Sequence, residues 1–143
     1  MFIPEEEYLK IIKQMPIFCV DFLIRCKDKY LLIKRTNEPL KGVYWLVGGR
    51  LNFRESIQEL SERVQMREIG RYFPNLKLIG FSNYFFPSVE GERATHTPTM
   101  LYLVEVDEMF EPIIDDTHSD FIWSNELPDE LKKQTEFIID YVQ

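Results

Sequence analysis

Apolar and polar residues along this chain fall into short runs of two kinds, one with strand character and one with helical periodicity. Residues 17–26 (IFCVDFLIRC) form an apolar, β-branched run of strand length, interrupted by Asp21. Lys27, Asp28 and Lys29 make a turn, and residues 30–34 are the return strand of a hairpin. Ahead of them, residues 4–14 begin with Pro4 and carry glutamates in their first turn, which predicts a short helix ended at Pro16. Residues 35–43 are a loop rich in turn formers, and 44–47 a short strand leading into two glycines. After a polar turn the period changes: Ile57, Leu60, Val64 and Glu68 share one stripe of a charged amphipathic helix that Gly70 closes. Strands are predicted over 76–86, 99–106 and 120–123, with polar loops over 87–97 and 107–119. A closing helix is predicted over 128–142, with Leu131, Phe137, Ile138 and Tyr141 on its apolar side. Helices alternating with groups of strands define an α/β chain whose helices pack on the faces of a mixed sheet. No repeat, low-complexity tract or linker divides it, so residues 1–143 are read as a single domain.

Composition narrows the function classes. Hydrophobic content of 45% and charged content of 29% are those of a globular domain with a real core. The formal net charge of -7 lacks the basic footprint of a general nucleic-acid binder, so a polyanionic ligand must meet a local cluster of Lys and Arg. Cys19 and Cys26 fall in one predicted strand and its end, a spacing that indicates neither a disulfide framework nor a zinc site. The opening residues are acidic and lack the apolar core of a leader peptide, and no run is long enough to span a membrane. A reducing cytoplasm is the expected location, with neither membrane nor nucleic acid as partner.

The helix stripe carries the first chemical signal. Glu68 lies on the inward face at the C-terminal end, where the helix dipole disfavours a negative charge. A buried anion there needs an arginine or a metal ion beside it; otherwise it bends out to solvent. Gly48 and Gly49 let the backbone approach a phosphate or a metal closely, or simply turn the chain. Arg63 stands one turn after Glu59, the favourable order for a helix ion pair. Arg50, directly after the glycines, and Arg35, at a strand end, are candidate phosphate forks. Asp21 is either a site carboxylate or a strand-edge residue facing solvent. His118, one of only two histidines, sits in a predicted loop, where a lone histidine is ordinarily solvated.

Gly49, Glu55, Arg63, Glu68 and Gly70 fall at the spacing G-x5-E-x7-R-x4-E-x-G, which resembles the Nudix box. The box also carries glutamates where this chain has Val64 and Arg67, and apolar residues at Gln65 and Arg71. That pattern of loss, the K-R-T-N run and Y-W pair before the box, and the segment IDDTHSDFIW resemble one branch, the GDP-mannose mannosyl hydrolases. The resemblance spans residues 1 to about 126 and implies a Nudix-type α/β/α sandwich with a mixed β-sheet.

It also implies roles. Gly49 (through its carbonyl), Glu68 and Thr117 stand where the branch holds Mg²⁺, with Mn²⁺ as an alternative. A site with one carboxylate binds such an ion weakly until substrate phosphates complete it. His118 stands where the branch keeps its general base, and Asp21, Arg35 and Arg50 are expected at the sugar and phosphates. Tyr84 and His96 are the nearest residues to two further substrate contacts. Gly48, Glu55, Arg63 and Gly70 are structural in the motif. The implied reaction is attack of water on the anomeric carbon of a nucleotide sugar, with C–O cleavage and inversion, in a homodimer. Thr117 replaces the branch's glutamine ligand, Tyr84 a histidine and Thr97 an aromatic hydroxyl, and no proline precedes the glycines. Two other readings remain open: an ordinary Nudix pyrophosphohydrolase, which needs the glutamates absent at 64 and 67, and a nucleotide-sugar-binding module without turnover.

Overall fold

The computed structural model describes residues 2–37, 40–86, 95–114, 116 and 118–138, with backbone only over 134–138. Helix α1 spans Glu5–Ile12. Strands β1 (Cys19–Cys26) and β2 (Lys29–Arg35) form the expected hairpin. The short strand before the glycines is two pieces, β3 (Tyr44–Trp45) and β4 (Val47–Arg50), and the glycines themselves lie in β4. Helix α2 spans Ile57–Ile69, followed by β5 (Lys77–Phe86), β6 (Thr95–Glu105), β7 (His118–Ser124), α3 (Asp129–Gln134) and β8 (Thr135–Ile138).

The strands make one mixed sheet in the order β3-β2-β1-β6-β5-β8, with β4 also paired to β1 and β7 to β2. β1 is its centre, parallel to β6 and antiparallel to β2 and β4. Alternation along β1 divides the core. Val20, Phe22 and Ile24 face α2 and pack with Leu60, Val64 and Ile69. Leu23 faces the other side, with Trp45, Ile79, Leu101 and Leu131 of α3. The helices therefore cover both faces, as the sequence pattern requires.

Three expectations are corrected. The closing helix predicted over 128–142 ends at Gln134, and residues 135–138 pair with β5 instead. An open β5 edge offers backbone partners that outweigh continued helix, and Thr135, Phe137 and Ile138 suit a strand. Of the residues assigned to that helix's apolar side, Leu131 is buried, while Tyr141 lies outside the described residues. Residues 95–97, predicted as loop, belong to the start of β6. His118, predicted in a loop, opens β7 and is buried. Among the described residues no helix is long and apolar enough to cross a membrane.

Candidate functional site

The approach of α2 to β4 builds the site. Ser56 caps α2 with a reciprocal capping box: its hydroxyl accepts from the Glu59 amide at 3.1 Å, and the Glu59 carboxylate accepts from the Ser56 amide at 3.2 Å. Glu59 is thus the capping partner, and Arg63 pairs elsewhere. Its guanidinium forks onto Glu55 at 2.7 and 2.8 Å and donates to the Arg50 carbonyl at 2.9 Å. Arg63 holds the Glu55 carboxyl below its usual range, and Glu55 also accepts from the Asn52 amide, which ties the loop before α2 to the strand end. At the other end Gly70 takes the left-handed conformation at φ 70° and stops the helix.

The C-terminal turn of α2 carries Glu68 against β4. Glu68 is only 4% exposed. Oε1 accepts from the Gly48 amide at 3.0 Å, and Oε2 lies 3.3 Å from Nη2 of Arg67 and 4.0 Å from Nε2 of His118. The cation beside this buried anion is therefore Arg67, supplied by the neighbouring residue of the same helix. Asp21 lies on the central strand, not at an edge, and is buried. Burial first, and the nearby Glu68 charge second, push its pKa from 3.8 up to about 7, against a hydrogen bond from Trp45 and the charge of Arg35. Gly48 is obligatory here: a Cβ on it would sit 1.9 Å from Oδ1 of Asp21. A Cβ on Gly49 would sit 2.9 Å from Val64 and 3.3 Å from Nη2 of Arg67. The glycine pair thus lets helix, strand and carboxylate close on one another.

These groups open onto a cavity of about 400 Å³. Asp21, Arg35, Gly48, Gly49, Arg50, Glu68, Tyr84 and His118 all line it. A register shift between Lys34 and Arg35 sets Arg35 opposite His118, and both residues line the cavity. Arg50 stacks over the Tyr8 ring at 5.3 Å, which brings α1 to the rim. The Tyr84 hydroxyl is buried, and burial pushes its pKa up, against a hydrogen bond with Ser82. His96 is not in the cavity. It faces the opposite side of β6, stacked on Phe85 at 4.4 Å with Nε2 2.6 Å from Asn83 Oδ1, while Thr95, Thr97 and Thr99 line the cavity. Strand alternation explains this, since 95, 97 and 99 share one face and 96 the other. Thr117 lies outside the described residues.

Among the lining residues with no assigned role from sequence are Tyr8, Cys19, Trp45 and Arg67. Cys19 was legible, being two residues from Asp21 on the same strand face. Burial, then the Asp21 charge, push its thiol up to about 12. Arg67 was visible as an arginine at a box-carboxylate position, but its contact with Glu68 was not.

Among the described residues, the donors do not fit a resident divalent ion. Glu68 is the one box carboxylate facing the glycines, and its two oxygens already meet an amide and a guanidinium. Among the described residues no group of three His, Cys, Asp or Glu is arranged to hold a metal ion.

Comparison with known proteins agrees on the fold. No family model matches the chain. A MutT NUDIX hydrolase from Burkholderia pseudomallei superposes with a TM-score of 0.68 at 24% identity, over 81% of this chain and 89% of that one. The fold is therefore that of the Nudix proteins. Among curated proteins, the chain is 29% identical over 108 residues to the low-salt glycan biosynthesis protein Agl8 of Haloferax volcanii, covering 74% of this chain and 69% of that protein. It is 32% identical over 92 residues to an ADP-ribose pyrophosphatase of Methanocaldococcus jannaschii, covering 64% of this chain but only about half, 52%, of that protein.

Proposed function

We propose that this protein is a Nudix hydrolase acting on a nucleoside-diphosphate sugar, cleaving the glycosyl C–O bond to release a nucleoside diphosphate and a free sugar. The observation that carries this reading is His118, buried at the cavity with Nε2 4.0 Å from Glu68. A histidine so placed takes a proton from water, and the adjacent carboxylate stabilises the imidazolium formed. Water then attacks the anomeric carbon, the C–O bond breaks, and the diphosphate departs with the bonding electrons. Arg35 and Arg50 hold that leaving group, and Asp21 faces the sugar. Cleavage between phosphates is the weaker reading, because Val64 is core and Arg67 replaces a carboxylate. The similarity to an ADP-ribose pyrophosphatase favours it. A homodimer in the cytoplasm completes the proposal.

The test is a panel of nucleotide sugars, including GDP-mannose and ADP-ribose, in oxygen-18 water. Label in the free sugar, with intact nucleoside diphosphate, is expected. Label in phosphate assigns a pyrophosphohydrolase. Tight binding without any turnover assigns a binding module. His118→Ala should lower turnover by roughly two to four orders of magnitude with little change in binding.

A further inference from the structure

The charge at position 67 is reversed relative to the box this chain resembles, and the structure shows where the reversed charge goes. Arg67 does not turn out to solvent as a helix-surface arginine would. Although its side chain is 47% exposed, Nη2 reaches back to 3.3 Å from the buried Glu68 oxygen. Adjacent residues on a helix do not normally face each other, so this contact requires the long arm to curl toward β4. The glycine pair makes room for it, since Nη2 lies within 3.3 Å of where a Gly49 Cβ would be. The guanidinium therefore occupies the junction of helix and glycines, on the cavity wall, beside the carboxylate that a metal ion would need.

Two consequences follow from charge alone. A divalent cation approaching Glu68 meets a positive group on the same oxygen, and is repelled. A phosphate approaching the glycines meets Arg67 together with Arg35 and Arg50, three guanidiniums lining one cavity in a chain of net charge -7. A guanidinium presents several donors, so one pair can rest on Glu68 while others face a phosphate. We propose that Arg67 is the phosphate-binding cation of this cavity, standing in place of a resident metal ion, so that diphosphate groups bind without divalent metal. The proposal rests on the diphosphate reading of the site given above and names the group that recognises it.

Titration calorimetry with inorganic pyrophosphate, ADP-ribose and GDP-mannose tests this, in EDTA and again with excess Mg²⁺. Pyrophosphate affinity in EDTA should lie within about threefold of that with Mg²⁺. Arg67→Gln should weaken it at least tenfold with an unchanged circular-dichroism melt, and Arg67→Lys should restore part of the loss. Arg67→Glu, which returns the box carboxylate, should abolish binding in EDTA and make binding depend on Mg²⁺. Pyrophosphate binding only with Mg²⁺, or equal affinities for wild type and Arg67→Gln, overturns the proposal. The two readings fail separately. Nucleotide sugars that bind only with Mg²⁺ leave the functional reading intact and remove Arg67 from it. Pyrophosphate bound in EDTA through Arg67, with no affinity for any nucleotide sugar, keeps Arg67 and rejects the nucleotide-sugar reading.

Discussion

Asp21 shows how one residue links burial to behaviour in solution. Its carboxyl is packed between Gly48 and the Trp45 indole, with the Glu68 charge nearby. A folded-state pKa near 7 against 3.8 unfolded means the native protein holds a proton that the unfolded chain releases. The contribution of Asp21 is therefore most favourable at low pH, falls as pH rises from about 4 to 7, and is lowest above that. Asp21→Asn removes the charge but keeps an oxygen for Trp45. Between pH 5 and 8 the wild type should lose about 2 kcal/mol that the variant keeps. The difference in Tm should then move by roughly 4–8 °C in the variant's favour. Thermal melts at constant ionic strength decide it; a gap that does not change with pH makes Asp21 an ordinary ionised carboxylate.

Among the elements, α2 was the most legible and the chain's end the least. The apolar stripe over Leu60 and Val64 and the stop at Gly70 lie where the pattern put them, because burial period and cap chemistry agree. The inward position of Glu68 was likewise readable from that stripe, whereas the pattern left Asp21 open between a site carboxylate and a solvent-facing edge. What was not readable depended on contacts distant in sequence. β8 exists because β5 has an unpaired edge, which the strand-compatible residues Thr135, Phe137 and Ile138 do not by themselves record. The curl of Arg67 depends on space left by Gly49, and the exclusion of His96 depends on β6 beginning at Thr95. The capping box was present as Ser56 and Glu59, but Glu59 was assigned to Arg63 instead. Ser56→Ala removes the acceptor for the Glu59 amide and should cost about 1 kcal/mol of stability in urea unfolding. Because Glu55 and Arg63 independently anchor the loop, Arg50 should keep its place and ligand affinity should change less than twofold. A large loss of affinity would show that the cap, rather than the Glu55–Arg63 fork, positions the site.

At the scale of the whole molecule, the arginines at the cavity stand against a net charge of -7, and the N-terminal segment sits beside them. α1 reaches the cavity through Tyr8 under Arg50, while Phe2, six residues earlier, is 87% exposed. The proposed homodimer would cover Phe2, which leads the amphipathic helix α1. Homodimerisation through this segment would place the interface beside the cavity mouth, so assembly and ligand affinity would be coupled. The first turn of α1 holds Glu5, Glu6 and Glu7, which repel their counterparts across such an interface. Screening weakens that repulsion, so the dimer should tighten as salt rises from about 50 to 500 mM. Light scattering at micromolar protein should give twice the chain mass, and Phe2→Glu should return the single-chain mass with its circular-dichroism melt intact. A single-chain mass for the wild type at both salt concentrations rejects the dimer. Phe2→Glu remaining dimeric moves the interface away from the N-terminal segment and leaves Tyr8 serving only its own cavity.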